Sequence, residues 1–428
     1  MHHHRRREIA SLTTTLLGAG PAHLSRRPDQ QKGAAVSRDV PLRGRRRLLA
    51  LASLAAVSAV LASCTATPPS ASSPTPSGDL IIPAAPEGAL PDATQAALRK
   101  AFDDTMAEYG VPGAAVGVWI PGQGSWTTAA GLADVETGTS ATTDMQWPLR
   151  SVTKSVTVTL ILELVDEGEI GLDDTIDQYV DGVTDGDKIT LRELANMSSG
   201  NADYTNDRFA EAFSADPTKI FTLDELNGFM LGDPAQFAPG TQHVYTNANT
   251  NLLGAVVEDV TGEPFGDVVK DRILDPLQLE NTQYTLEIST WEKPHPIGYV
   301  LDDGEPSAQP DNLSIFGPAG SMIATIDDMR VWGIALATGA LLTPETQADR
   351  LLGSPLEIGP PYDIYALGIG ETQGWWGHNG EGLGFTAAVF HNPDTAATIV
   401  VFMNLSNVVP KAHPADQLFR RIAEVLQD

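Results

Sequence analysis

The chain has 428 residues, 42% of them hydrophobic and 19% charged, so there is ample apolar surface to offset chain entropy and intrinsic disorder is excluded. Its length exceeds one small core and implies two domains or one large α/β domain with an insertion, while a single cysteine, Cys64, excludes an intrachain disulfide framework and a cysteine-based zinc site. The formal charge of −28 is uneven: residues 1–47 hold 11 Lys/Arg against 3 Asp/Glu, which leaves a body near −36 and argues against a nucleic-acid partner.

The first element in chain order is a targeting signal. Arg43, Arg45, Arg46 and Arg47 precede sixteen uncharged residues, Leu48 to Ser63, the charged and apolar regions of a secretory signal. The stretch is too short and too rich in Ala and Ser for a membrane span, which needs about 20 strongly apolar residues. Leu61-Ala62-Ser63-Cys64 is similar to a bacterial lipobox, so Cys64 is the expected lipidation site and residues 1–63 an N-terminal extension plus signal peptide. The alternative is an ordinary signal peptide with a buried cysteine. Arg45-Arg46-Arg47-Leu48-Leu49 also resembles a twin-arginine signal, so the export route stays open. Thr65 to Gly78 is almost wholly Thr, Ala, Pro and Ser, and residues 64–90 read as a flexible tether.

Asp92 to Tyr109 carries Ala97, Leu98, Phe102 and Met106 on one face and predicts an amphipathic helix. Ala114 to Ile120 predicts a strand, paired with Ser125 to Ala130 after the Pro121-Gly122 turn. Ser151 to Val165 predicts an apolar helix closed by Gly168. Short helical patterns broken by Gly, Pro and Asp follow, including Asn249 to Val260 and Phe265 to Leu274. Strand patterns return at Tyr365 to Ile369, Gly384 to His391 and Ala397 to Asn404, and a helix over Ala415 to Leu426 ends the chain. This order predicts an α/β fold: an antiparallel sheet flanked by helices (91–155 and 316–428) with a large, mostly α-helical insertion (156–315).

Three motifs carry the chemistry. Ser151-Val152-Thr153-Lys154 places a hydroxyl and an amine at i and i+3 on one helix face, where a neutral lysine can take the serine proton while helix N-terminal amides face the reacting carbonyl. Neutrality requires burial or a nearby cation. Tyr-x-Asn occurs as Tyr204-Thr205-Asn206 and Tyr245-Thr246-Asn247. The later copy is preferred because the Pro239-Gly240 turn and the helix from Asn249 fix it on both sides; its phenol can relay a proton and its amide can bind a substrate amide. His378-Asn379-Gly380, followed by Glu381, supplies a polar head, and the amide of Gly380 or Glu381 can complete an oxyanion hole with that of Ser151. A lone histidine is more often structural, and so is a pair such as Trp375-Trp376.

Together these motifs resemble the serine β-lactamase and penicillin-binding superfamily, in its class C and D-alanyl-D-alanine carboxypeptidase-like branch. Gly168-Glu169-Ile170-Gly171-Leu172-Asp173-Asp174, Thr190-Leu191-Arg192-Glu193-Leu194, Ser198-Ser199-Gly200 and Pro239-Gly240-Thr241 extend the likeness over about residues 90–428. The resemblance implies a cleft between sheet and helical part, with Ser151 as acylated nucleophile, Lys154 and Tyr245 jointly as base and relay, Asn247 as substrate ligand and His378 as third-motif residue; Asn379, Gly380 and Glu381, which follow His378, complete the expected substrate-binding set. It departs from β-lactamases at the third motif, where His378 replaces the usual lysine of Lys-Thr-Gly.

The expected function is a serine hydrolase acting through an acyl-enzyme on cell-wall peptides, D-alanyl-D-alanine carboxypeptidase-like, with carboxylesterase or weak β-lactamase activity as alternatives. A non-catalytic cell-wall-binding lipoprotein is the reading from another class. The partners implied are a peptidoglycan-derived peptide or a small acyl ester or amide, with β-lactams as acylating ligands. No cofactor is implied, and no His-Glu-x-x-His or comparable spacing calls for a metal. The nucleophile elbow Gly-x-Ser-x-Gly does not occur. No Lys or Arg lies between Arg350 and Lys411, so a substrate carboxylate would depend on His378 protonating at about pH 6 to 7, or on Arg208, Lys219 or Lys293.

Overall fold

The computed structural model describes residues 82–406 and 413–427. Cys64 and the signal segment lie outside them, as does most of the expected tether. The end of that tether is docked: Leu90 is buried, Ala89 bridges to Ser125, and Pro83 O accepts a hydrogen bond from Arg330 (2.9 Å).

Eight antiparallel strands form the main sheet, in the order β3-β2-β1-β13-β12-β11-β10-β9. They are β1 (Gly113–Ile120), β2 (Gly124–Asp134), β3 (Thr139–Ser140), β9 (Ile364–Tyr365), β10 (Gly370–Thr372), β11 (Trp375–Gly382), β12 (Phe385–Asn392) and β13 (Ala397–Met403). All residues of β1 and β13 are buried, because both faces of the sheet are covered. Such strands read as continuous apolar runs and lose the polar alternation of a one-sided sheet. On one face, Val116, Val118, Ala388, Phe390, Ile399 and Val401 meet Leu98 and Phe102 of α1 (Asp92–Tyr109) and Leu418, Phe419 and Ile422 of the C-terminal helix Pro414–Val425. On the other face, Ala115, Ala387, Val389, Val400 and Phe402 meet the helix Ile326–Thr338 and the helical block. Each fully buried Val, Leu, Ile or Phe among these contributes roughly 1.5 to 3 kcal/mol.

The helical block opens with α2 (Thr153–Glu167). Valines and threonines disfavour a helix by a few tenths of a kcal/mol each, but α2 is buried on nearly all sides, which outweighs propensity. Its hydroxyls are absorbed locally: Thr159 Oγ1 donates to Ser155 O (2.7 Å) and Thr157 Oγ1 to Pro318 O (2.7 Å). α2 packs on α3 (Asn247–Thr261). Gly254 of α3 has no room for a side chain, since a Cβ there would lie 2.3 Å from Pro318. Residue Pro318 therefore sits directly against the helix, next to Ala319.

The expected sheet flanked by helices with a helical insertion is the observed arrangement, with three differences. The insertion also carries strands: a hairpin of β6 (Tyr299–Asp302) and β7 (Glu305–Ala308), and β5 (Gln283–Tyr284), which joins β8 (Met322–Ala324) and β4 (Trp147–Pro148) in a small sheet. Of the expected strand Tyr365 to Ile369 only Tyr365 lies in β9, and 366–369 is the turn to β10: Ala366 N donates to Ile369 O (2.8 Å), and Gly368 takes a positive φ of 66° that a strand forbids. His378 to Gly380 lie inside β11 itself, one strand earlier than the periodicity indicated.

Candidate active site

Ser151 sits in a single tight turn, Arg150–Val152, that feeds α2. Arg150 takes φ 50°, an αL conformation that costs a non-glycine residue roughly 1 to 2 kcal/mol. The buried guanidinium holds the turn in place. Its Nε donates to Gly382 O (2.9 Å), and it stacks between Phe316 (4.6 Å) and Phe385 (5.1 Å). Burial pushes its pKa down to about 9, which leaves it charged at neutral pH. The turn is thereby pinned to the β11–β12 hairpin. Gly380 presses on it from β11: a Cβ there would lie 2.2 Å from Leu149 O and 2.9 Å from Ser151 N. β10 pairs with β11 only as far as Gly377, so past that point the outer edge of β11 faces the serine turn.

Lys154 lies one turn on in α2, fully buried, with Nζ 3.1 Å from Ser151 Oγ. Nζ donates to Asn247 Oδ1 (2.6 Å) and Ala319 O (2.9 Å). Burial drives its pKa down to about 7, against an opposing pull from Asp203. A neutral amine has two hydrogens and one lone pair. With both hydrogens on Asn247 and Ala319, the lone pair is left for the Ser151 hydroxyl, which is the geometry a general base needs.

Tyr245 stands over the same group, its ring 5.1 Å from Lys154 Nζ. Its Oη is buried and has no protein partner of good hydrogen-bond geometry, although the Ser151 hydroxyl is close enough to favour its ionised form slightly. Burial dominates and pushes the phenol well above its ordinary pKa, so Tyr245 rests as a neutral phenol with a proton to give and not as a phenolate. Asn247 is the first residue of α3. With Oδ1 on Lys154, its Nδ2 is the atom left to meet a ligand.

The third motif departs from expectation. His378 is fully buried. Its Nε2 lies 3.1 Å from Tyr365 Oη and its Nδ1 3.3 Å from Tyr362 Oη, and Nδ1 also approaches Asn379 O. Burial lowers its pKa to about 3, so it stays neutral at pH 6 to 7 and cannot serve as the carboxylate-binding cation. The imidazole instead props Tyr365, whose ring meets Tyr245 edge-on at 5.7 Å. Asn379 is turned away to the C-terminal helix: its Oδ1 accepts from Tyr362 Oη (2.8 Å) and its Nδ2 donates to Asp416 Oδ1 (3.2 Å), so its side chain is not available to substrate. Glu381 is half-buried in β11 opposite Thr386. The cations of the helical part are engaged elsewhere: Arg208 with Asp233 (2.8 Å), Lys219 with Glu225 (2.8 Å), and Lys293 with Asn281 Oδ1 (2.5 Å).

Sequence reasoning missed Arg150, Ala319 and Asp203. Asp203 immediately precedes Tyr204-Thr205-Asn206, the Tyr-x-Asn copy that the sequence does not favour. In that copy Tyr204 is buried with its Oη on Ile315 O (2.6 Å), and Asn206 caps the helix Asp207–Ala215, so both are structural. Asp203 itself faces the site, its Oδ2 accepting from Asn247 N (3.1 Å). A local signal existed in the acid beside a second Tyr-x-Asn, but only the fold brings it to Lys154.

An antiparallel sheet flanked by helices, with a serine and a lysine at a buried helix start beside a tyrosine of the helical part, defines the serine β-lactamase and penicillin-binding class of fold. The family model described as Beta-lactamase matches residues 98–427, and the chain belongs to that family. It is 26% identical over 337 residues to Protein flp of Staphylococcus aureus, covering 72% of this chain and 64% of the relative. It is 27% identical over 304 residues to a D-aminopeptidase of Brucella anthropi, covering 69% and 56%. The chain thus spans less than two thirds of either relative. A D-stereospecific amidohydrolase from Streptomyces sp. superposes with a TM-score of 0.68 at 29% identity, over 77% of this chain and 98% of that one. The penicillin-binding protein homologue from Pyrococcus abyssi (TM-score 0.67, 24% identity, over 79% of this chain and 78% of that one) shares the fold.

Proposed function

We propose that this hydrolase of the serine β-lactamase fold cleaves amide bonds of D-configured amino-acid residues, as amides or short peptides, through an acyl-enzyme on Ser151. The observation that carries the reading is the hydrogen-bond pattern of Lys154, which leaves one lone pair directed at the Ser151 hydroxyl. In the first half-reaction the serine proton passes to Lys154 Nζ as the Oγ–C bond forms. Breakage of the C–N bond follows, with the proton delivered through Tyr245 to the leaving amine. Water repeats the sequence to release the acid. Amidase or aminopeptidase action is favoured over the carboxypeptidase alternative because His378, neutral and enclosed by tyrosines, brings no positive charge for a terminal carboxylate. The similarity to a D-stereospecific amidohydrolase and a D-aminopeptidase supports the same choice.

Turnover of D- and L-alanine p-nitroanilides, an acyl-D-Ala-D-Ala peptide and nitrocefin tests this. The D-anilide is expected to be cleaved at least about 10²-fold faster than the L-anilide, with the acyl dipeptide slower and nitrocefin turned over poorly. An L-preference, or nitrocefin as best substrate, overturns the reading. We also propose export with a lipid anchor on Cys64; Cys64→Ser is expected to shift the protein from the membrane fraction to solution, and continued membrane retention would refute the anchor.

A further inference from the structure

We propose that Asp203 is the specificity-determining residue of this site, accepting the protonated α-amino group of a substrate whose N-terminus is free. The inference rests on the amide-hydrolase reading and deepens it by naming the substrate class. Asp203 lies on the loop before the helix Asp207–Ala215, joined to the nucleophile by an unbroken set of contacts: Oδ2 to Asn247 N (3.1 Å), Asn247 Oδ1 to Lys154 Nζ (2.6 Å), and Nζ to Ser151 Oγ (3.1 Å). It is half-buried and keeps some surface open to solvent, whereas Lys154 beneath it has none. Among the described residues Asp203 has no Lys or Arg within ion-pair distance. It receives two backbone amides, Asn247 N and, at 3.4 Å, Thr205 N, and the Thr205 hydroxyl stands close enough to favour its ionised form slightly. The charged or titratable groups around it are Lys154 of α2 and the phenols of Tyr204 and Tyr245. Lys154 must be neutral to act, so in the working enzyme none of these neighbours is a cation. A carboxylate in a dense site, short of positive charge, is stabilised by a cationic ligand. The α-amine of an aminoacyl group is two bonds from the carbonyl carbon that Ser151 attacks, which brings an ammonium group near Asp203 when that carbon is in place.

A purely structural role for Asp203 is the competing account, since an acid at the first amide of α3 also satisfies the helix terminus. Asp203→Asn separates the two, because it keeps an oxygen for Asn247 N and removes the charge. The experiment measures kcat/KM for D-alanine p-nitroanilide and its N-acetyl derivative between pH 5.5 and 10, in wild type and variant, alongside fluorophosphonate labelling of Ser151 and the melting temperature. Wild type is expected to favour the free amine by at least about 10-fold. Asp203→Asn is expected to lose about 10²-fold on the free amine and less than about threefold on the N-acetyl substrate, with labelling and melting temperature little changed. The free-amine profile should be a bell, rising as Lys154 loses its proton and falling as the α-ammonium, with a pKa of about 8, loses its own. The N-acetyl profile should rise to a plateau. Equal losses on both substrates, or a wild type that prefers the N-acetyl anilide or cleaves neither while Ser151 still labels, overturn the assignment of Asp203. Failure of Ser151 to label at all would instead sink the hydrolase reading beneath it.

Discussion

Ser151→Ala is expected to abolish both the single fluorophosphonate adduct and turnover of every substrate, with a loss on the order of 10⁴-fold or more. The size follows from how the site is built. Lys154 and Tyr245 converge on one hydroxyl; no other serine stands against Lys154 Nζ in the described residues. Removing the acyl acceptor leaves positioning and oxyanion contacts but no covalent path. The variant should fold normally, because Ser151 is only half-buried and the turn is held by Arg150 and Gly380. Intact-mass measurement after labelling, with the tagged peptide identified, decides the matter. An adduct that persists in the alanine variant, or activity within 10-fold of wild type, would place the nucleophile elsewhere.

The central constellation was legible because its parts are local. Ser151 and Lys154 are separated by one helical turn, and Tyr245 and Asn247 bracket the start of α3, so short motifs state the spacing directly. The apolar runs of β1, β12 and β13 and the amphipathic α1 were legible for the same reason. What escaped depends on contacts across long stretches of chain. The role of Arg150 exists only because β11 and β12 bring Gly382 O and Phe385 to it, and the Lys154 contact to Ala319 O joins residues 165 positions apart. His378 was misjudged for a related reason. A histidine in a motif says nothing of its enclosure, and here Tyr362 and Tyr365 come from the β9 region to bury it and hold it neutral. The glycine turn at 366–369 was missed because four apolar residues read as strand until Gly368 is seen in αL geometry.

Lys154→Met is expected to slow acylation by about 10² to 10⁴-fold and to make the stability difference from wild type depend on pH, favouring the variant less as pH rises. The activity loss is that of a general base. In wild type, kcat/KM for an N-acyl substrate should rise with pH through about 7, where Lys154 becomes neutral, and this limb should vanish in the variant. The buried His378, held down to about 3, adds no second limb in that range. The pH dependence of the stability effect has a definite sign. The folded-state pKa of Lys154 is depressed from 10.5 to about 7, so between those values the unfolded chain binds one more proton than the native state. Burial therefore penalises the native state by roughly 5 kcal/mol at most below pH 7, and the penalty fades as pH rises toward 10.5. Methionine of similar volume removes it but strands Asn247 Oδ1 and Ala319 O, at about 1 to 3 kcal/mol each. The net at pH 7 should thus lie between a loss of about 1 and a gain of about 3 kcal/mol, and between pH 7 and pH 10 it should move by about 3 to 4 kcal/mol against the variant, as wild type loses its penalty while the variant still carries its unpaired acceptors. Denaturant titrations of both proteins at pH 7 and pH 10 measure this difference. A gap that does not change with pH would mean that Lys154 is charged in the folded protein at pH 7, and it could not then be the base.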